Sequence, residues 1–409
     1  MPDPALIPSI AALGGGVWAA RDYLRRRLDG PDDRYMALYG RDAWDASNMD
    51  LDLSYDPSDH GRVVDAFRAR VARRLASSEP TLLREALDLG AGGLTFTPQD
   101  VEWSDLVEPR HGVWFDVTQP GRVRVVWNHM QVDGVGLWRD LRELFDDNPP
   151  LVPYRDVKAP APIVPELIAL PSLARRMLWR GGLRKHSGTT LTRGAHVWDA
   201  TPLRAARRGM GVPFFAVTSA VVVAEVFAQH PDVHELTAGL TAYFPFLKAR
   251  NRYGVMTVRL RRDDAPGLAR QIVRQTRRPI VGWGTSSAQT WALSQLPDRA
   301  YLRVVNYYRR QIDVLVSNLP VGELEPSVDG VPVVLGCWPR ELTLPYYALL
   351  MGTRERVHVS TTSRATSDPA FASDDHVAAH VDGALVPAKR SRWLEHVLDP
   401  RRAFGRRRA

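Results

Sequence analysis

The feature that most constrains the fold of this chain is the stretch from Arg122 to Phe145, in which a strand pattern changes into a helix pattern across a histidine. Apolar residues occupy alternate positions from Val123 to Trp127, which predicts a β-strand with one buried face. Apolar residues then recur every three or four positions from Val135 to Phe145, which predicts an amphipathic helix. His129 and Asp133 lie between the two patterns. The sequence therefore places a histidine where a strand runs into a helix.

The residues from His129 to Gly134 have the pattern His-x-x-x-Asp-Gly. At a strand-to-helix junction, this pattern resembles the active-site motif of the chloramphenicol acetyltransferase-like superfamily. That superfamily includes dihydrolipoyl acyltransferases, nonribosomal peptide condensation domains, plant alcohol acyltransferases and wax ester synthases. Many members carry two successive histidines, and Asn128 stands in the place of the first. The resemblance covers residues 48–385 and is strongest at 122–145.

The resemblance implies that His129 acts as the general base of an acyl transfer. An imidazole with an ordinary pKa of about 6.5 is largely neutral near pH 7, so it can take a proton from an attacking hydroxyl, amine or thiol. In relatives the motif aspartate pairs with an arginine, so we expect Asp133 to orient the loop with Arg84 as its partner. Gly134 suits a turn that needs a positive φ. The alternative is an exposed histidine beside an ordinary Asp-Gly turn.

A second segment, from Ile312 to Gly322, predicts a strand that ends in Ser317 and Asn318. It resembles the Ser-Asn-x-Pro-Gly region of the wax ester synthase and condensation branches, with Val321 inserted before the glycine. A hydroxyl and an amide at a strand end can stabilise an oxyanion, which the resemblance implies for Ser317 and Asn318. The alternative is a turn in which Asn and Pro end the strand. The Asp-Phe-Gly-Trp-Gly element of the plant and condensation branches is absent, which leaves the branch open.

Relatives of about this length, 409 residues, carry two similar lobes in one chain. The resemblance therefore implies an α/β fold of two chloramphenicol acetyltransferase-like lobes, each a mixed sheet with flanking helices, with a channel between them. The expected divisions are an N-terminal helical segment at 1–47, an N-terminal lobe with the motif at 48–148, a proline-rich crossover and basic segment at 149–193, a C-terminal lobe at 194–385, and a basic tail at 386–409.

Cysteine usage excludes several kinds of site. The single Cys337 excludes an intramolecular disulfide framework and argues against a cysteine-based zinc site. We expect it to be a core thiol in a protein of a reducing compartment. His358, His376 and His380 have no common arrangement with carboxylates that would hold a metal. We therefore expect no metal and no tightly bound cofactor.

The net charge of +8 comes almost entirely from arginines spread among acidic residues, so we expect a solvated surface and no nucleic-acid partner. Residues 6–20 are too short and too interrupted to span a bilayer, and basic residues follow them, unlike a secretory signal. We therefore expect a cytoplasmic protein. The basic segment at 173–185 is interpreted as a peripheral membrane contact, a lid or a linker. It could equally meet a phosphorylated cofactor or an acidic carrier protein.

The expected function is acyl transfer from a phosphopantetheine thioester, on coenzyme A or on an acyl or peptidyl carrier protein, to a small hydroxyl or amine acceptor. A condensation-type ester or amide synthase on carrier-bound substrates is the nearest alternative. A catalytically silent scaffold is another, because Asn128 departs from the motif. The glycine-rich run from Asp88 to Gly93 also resembles a methyltransferase loop, but the required preceding strand and following helix are not predicted there.

Overall fold

The computed structural model of the chain describes two β-sheets and the helices that cover them. The described residues are 18–19, 21–22, 48–76, 113–128, 142–144, 146–147, 183, 187–243, 253–276, 295–320, 324–339, 342 and 344–365. The N-terminal segment, the crossover and the C-terminal tail lie wholly or almost wholly outside these ranges. Their structures and the lobe boundaries stay predictions.

Within these ranges the elements alternate between strands and helices. The helices are α1 (His60–Ala76), α2 (Ala200–Met210), α3 (Phe214–Gln229), α4 (Ala265–Thr276) and α5 (Asp298–Arg309). The early strands are β1 (Asn48–Ser54), β2 (Val113–Asp116), β3 (Arg122–Asn128), β4 (Ser187–Asp199), β5 (Glu235–Tyr243) and β6 (Tyr253–Arg261). The later strands are β7 (Val314–Pro320), β8 (Ser327–Val328), β9 (Val331–Pro332), β10 (Val334–Pro339), β11 (Tyr346–Gly352) and β12 (Arg356–Ala365).

The first sheet has the strand order β10-β1-β3-β2, and its described pairings are all antiparallel. Helix α1 packs on one face, where the rings of Phe67 and Phe115 meet edge to face at 5.1 Å between centroids. Leu51 and Val125 are buried in the same core. The apolar side of β3, predicted from its alternation, therefore faces the core of the first lobe.

The second sheet has the order β4-β12-β11-β7-β5-β6. It is mixed, because β7 runs parallel to both β5 and β11 while the other pairs are antiparallel. Residues of α2, α3 and α4 form one core with Val314 and Val316 of β7. Helix α3 is buried from Ala216 to Phe227, as expected of a helix that is apolar on all sides. The prediction of two lobes with sheets and flanking helices is confirmed.

Strand β10 was not predicted, and it joins the first sheet although it follows β7 in the chain. Its pairing with β1 runs from Met49 opposite Pro339 to Ser54 opposite Val334. The sequence predicted a mixed sheet in each lobe; the second sheet is mixed, and the first pairs its four described strands antiparallel. A segment from the range expected for the second lobe thus completes the sheet of the first.

No single helix in the described part of the chain has the length and apolarity needed to cross a membrane. Helices α2 and α3 meet those criteria only together, as a pair bent by 112°. Helix α3 is buried in the core of the second lobe.

Two glutamines of α4 cover the outer edge of β6, the last strand of the second sheet. Gln271 accepts from the N–H of Arg261 at 2.9 Å and donates to its carbonyl at 3.1 Å. Gln275 makes the same pair of bonds with Arg259, at 3.0 Å and 2.7 Å. The two amides lie one helical turn apart and contact alternate strand residues, so they occupy the place of a neighbouring strand. They satisfy edge groups that would otherwise pair with another chain.

Replacing both Gln271 and Gln275 by alanine is expected to lower the free energy of unfolding by about 1 to 3 kcal/mol and to promote self-association. Chemical denaturation and light scattering at high protein concentration measure the two effects. The double variant Arg270→Ala and Arg274→Ala is the matched control, because these exposed residues have the same spacing on the same helix. Equal scattering from both double variants would contradict the edge-covering role.

Candidate functional site

The structure describes the strand that leads to the predicted motif. Strand β3 ends at Asn128, which pairs with Asn48 at the start of β1, and His129 is the next residue in the chain. The predicted strand before the motif is therefore confirmed up to Asn128. His129, Asp133, Gly134 and Arg84 lie outside the described residues, so their roles and the Asp133–Arg84 pair stay predictions.

The chain after the motif is helical where it is described, at residues 142–144. Leu144 is buried in the core of the first lobe. The Nε of Arg142 donates to Asp146 Oδ2 at 2.7 Å, and both side chains are buried. The pair is four residues apart, the spacing that brings side chains together on one face of a helix.

Ser317 lies on the face of the second sheet that turns toward the first lobe. Side chains alternate along a strand, and Val316 belongs to the second core whereas Leu319 belongs to the first. Ser317 shares the side of Leu319. The hydroxyl of Thr241 donates to Ser317 Oγ at 2.9 Å. That bond uses Ser317 as an acceptor, so its own hydrogen can be donated to another group.

Asn318 lies on the opposite face of β7 and is held by α3. Its Oδ1 accepts from the Thr218 hydroxyl at 2.9 Å, and its Nδ2 donates to Ser219 Oγ at 3.1 Å. Both ends of the amide therefore link the strand to the helix. Of the two predicted oxyanion donors, the geometry favours Ser317 and gives Asn318 a supporting position.

The two lobes are joined where β10 crosses the second sheet. The N–H groups of Leu335 and Cys337 point away from β1 and donate to side chains of β12, at 3.2 Å to His358 Nδ1 and at 2.7 Å to Ser360 Oγ. Side chains of one sheet thus satisfy the edge strand of the other.

This junction relates Ser317 to the end of β3. Strand pairings and one hydrogen bond connect Ser317 to β3 through Leu349, Ser360, Cys337, Leu51 and Val125. Val125 is three residues before Asn128, which corresponds to about 10 Å along a strand. That separation leaves room for a side chain and a reacting group between the end of β3 and Ser317.

Two solved structures align with most of the chain. Trichothecene 15-O-acetyltransferase from Fusarium sporotrichioides aligns with a TM-score of 0.52 and 11% identity, over 88% of this chain and 94% of its own. The starter condensation domain of rhizomide synthetase, a double mutant in complex with C8-CoA and Leu-SNAC, aligns with a TM-score of 0.50 and 12% identity over 88% and 94%. The chain has the two-lobe chloramphenicol acetyltransferase-like fold. No protein-family model matches the sequence, and no curated protein sequence matches it significantly.

In this chloramphenicol acetyltransferase-like fold, an arginine that sequence reasoning missed ties the lobes together near the end of β3. Arg193 of β4 donates to Asp50 Oδ2 at 3.0 Å and to the carbonyl of Pro339 at 3.2 Å. Asp50 is only 3% exposed. Alternation puts Asp50 on the polar side of β1, and nothing in that pattern indicates that the second lobe covers it.

A buried histidine sets the chemistry of the lobe junction. The Nδ1 of His358 accepts the Leu335 N–H, so the ring hydrogen is on Nε2, which donates to Glu325 Oε2 at 3.3 Å. The hydroxyl of Thr353 donates to the other oxygen of Glu325. Burial raises the pKa of Glu325, but hydrogen bonds from His358 and Thr353 and the charge of Arg356 outweigh it and leave that pKa below its ordinary value. Glu325 is therefore held in its ionised form.

Replacing Glu325 by glutamine is expected to lower the free energy of unfolding by about 1 kcal/mol at pH 7. Because the folded-state pKa of Glu325 is lowered, its contribution is present above the unfolded pKa of about 4.3 and is lost as the pH falls through the folded value. The difference from wild type should therefore shrink below about pH 4. Denaturation curves from pH 3 to pH 7 measure it, with the exposed Glu355→Gln as control. A pH-independent difference would contradict the role of the charge.

The lone cysteine lies in the core, as predicted. Burial raises the pKa of the Cys337 thiol well above its ordinary value, and the charges of Asp50 and Asp52 add to this shift. A thiolate nucleophile is therefore disfavoured at this position. Within the residues that the structure describes, no three His, Cys, Asp or Glu side chains converge as metal ligands.

Proposed function

We propose that this protein is an acyltransferase that moves an acyl group from a phosphopantetheine thioester to a hydroxyl or amine acceptor. The observation that carries the proposal is the place of the motif in the fold. Strand β3 runs in the first sheet directly to His129, and β7 turns Ser317 toward the same lobe. A base and an oxyanion donor from different lobes are thereby available to one substrate.

In the proposed reaction His129 acts as the general base. It takes the proton of the acceptor hydroxyl or amine as the oxygen or nitrogen attacks the thioester carbonyl. A tetrahedral intermediate forms, and its collapse breaks the carbon–sulfur bond. The protonated imidazole then returns the proton to the leaving thiolate. The products are the ester or amide and the free thiol, so the reaction needs no other reactant.

Three other residues have supporting roles in this proposal. The hydroxyl of Ser317 donates to the oxyanion of the tetrahedral intermediate. Asn318 holds β7 against α3, so it fixes the backbone that carries Ser317. Asp133, paired with Arg84, orients the loop that carries His129.

Two donors fit the proposal, free acyl-coenzyme A and an acylated carrier protein, because both present the same phosphopantetheine thioester. The rhizomide synthetase condensation domain was crystallised with C8-CoA and Leu-SNAC, which supports this donor class here. A condensation-type reaction on carrier-bound substrates is the second candidate. It would require the carrier protein and would weaken with added salt, since recognition of an acidic carrier by basic residues is screened by ions.

The test is a product assay with the purified full-length chain. Acetyl-, octanoyl- and palmitoyl-coenzyme A are each offered with a panel of alcohols and amines, and in a parallel series the same acyl groups are offered on a carrier protein. We expect mass spectrometry to detect an acylated acceptor, with release of an equal amount of free thiol. Absence of product from every donor would support a catalytically silent scaffold and overturn the proposal.

A further inference from the structure

One carboxylate, that of Asp147, joins three parts of the chain that are far apart in sequence. Its Oδ1 accepts hydrogen bonds from Arg70 of α1 and from the backbone N–H of Asp329 at 2.9 Å. Its Oδ2 accepts from the Ser327 hydroxyl at 2.9 Å and from the N–H of Gly330 at 2.7 Å. A carboxylate with several such donors is held in its ionised form, and the pKa of Asp147 is about 2.

The donors from the later part of the chain belong to the hairpin of β8 and β9. The strands pair on either side of Asp329 and Gly330, which form a two-residue turn with positive φ angles of 51° and 73°. Two-residue hairpins favour this conformation. Successive N–H groups in such a turn form an anion-binding concavity. The carboxylate of Asp147 occupies it.

The same hairpin also holds the main chain at the end of the predicted motif helix. The N–H of Asp147 donates to the carbonyl of Ser327 at 2.8 Å. Just before it, Leu144 is buried in the first core, and the Arg142–Asp146 pair is buried. The hairpin follows β7 in the chain. The end of the motif helix is therefore fixed against the segment that continues from the strand carrying the proposed oxyanion donor.

We propose that Asp147 is a positioning residue: it locks the motif helix to the β8–β9 hairpin and so holds His129 in register with Ser317. This inference rests on the proposed function. Asp147 acts through the helix and not on the substrate. A helix moves as one body, so release of one end displaces the motif at the other, and a displacement of about 1 Å can lower a rate about a hundredfold.

Asp147→Asn tests the proposal because it keeps the size of the side chain and turns one acceptor into a donor that faces other donors. We expect kcat with octanoyl-coenzyme A and a competent acceptor to fall about ten- to hundredfold, with the KM for the donor within about twofold of wild type. We also expect faster amide hydrogen exchange across residues 129–147. Ser327→Ala removes one of the four hydrogen bonds and should cause the same changes at smaller size, so it serves where Asp147→Asn folds poorly.

Asp116→Asn is the matched control. The Asp116 carboxylate also caps a turn, accepting from the N–H of Thr118 at 2.9 Å and from its hydroxyl at 2.7 Å, and both partners are two residues away. It should leave exchange across 129–147 and kcat at wild-type values.

Unchanged exchange in Asp147→Asn and Ser327→Ala would overturn the lock itself. Faster exchange with unchanged kcat would overturn the positioning role. A wild-type protein that turns over no acyl thioester would overturn the proposed function and the catalytic consequence of Asp147 with it. That outcome is recognised by the inactive wild type, whereas failure of the inference alone leaves the wild type active.

Discussion

Replacing His129 by alanine is expected to lower kcat for acyl transfer about a hundredfold to ten-thousandfold, because the acceptor then loses its proton without a positioned base. The KM for the acyl thioester should change little, since the imidazole acts on the acceptor proton in the transition state. Release of free thiol and the mass of the acylated product measure the loss. Binding of the thioester, measured by isothermal titration, should persist.

His234→Ala is the control for this substitution, because His234 is an exposed histidine of the second lobe. It should keep wild-type kcat. Activity that survives in His129→Ala would contradict the assignment of the base. Equal loss in both histidine variants would indicate a general effect on folding, which the melting temperatures would show.

Replacing Ser317 by alanine is expected to lower kcat by about a hundredfold, the size found when one donor to an oxyanion is removed from a dry site. Thermal stability should change little, because the bond from Thr241 is the contact that is lost. Replacing Asn318 by alanine should have the opposite profile. It leaves Thr218 and Ser219 without their shared partner, so the free energy of unfolding should fall by about 1 to 3 kcal/mol.

Ser219→Ala provides the control for the same chemical change on the other side of β7, since Ser219 is buried on α3 and contacts Asn318. It should lower stability slightly and keep kcat. Loss of kcat in Asn318→Ala with full kcat in Ser317→Ala would reverse the two roles. Initial rates and melting temperatures of the three variants decide between them.

Periodicity predicted the strands and helices that are amphipathic or strongly apolar. The alternation around Val123 to Trp127, the run from Pro213 to Phe227 and the strand at Ile312 all correspond to elements of the structure. The reason is physical: a side chain that must be buried on one face recurs with the period of its backbone, and that period is local in sequence. The fold class followed from the motif together with this order of elements.

The hairpin of β8 and β9 and the strand β10 were not predicted. Their strands are two to six residues long, too short for a period to be evident. Strand β10 pairs with β1 almost three hundred residues earlier, from Ser54 opposite Val334 to Met49 opposite Pro339. Such pairing depends on which edge of a sheet is open after folding, and no local pattern records it.

The sequence by itself determined that a histidine follows a strand whose apolar side is buried, and that Ser317 and Asn318 end a second strand. Tertiary structure alone decided which of those two residues faces the other lobe, because neighbouring side chains of a strand point to opposite sides and only packing assigns each side. It also decided that Asp50, Asp147 and Glu325 are held by distant partners. A carboxylate at the surface and one held between lobes read the same in sequence, since the difference lies in donors contributed by residues far along the chain.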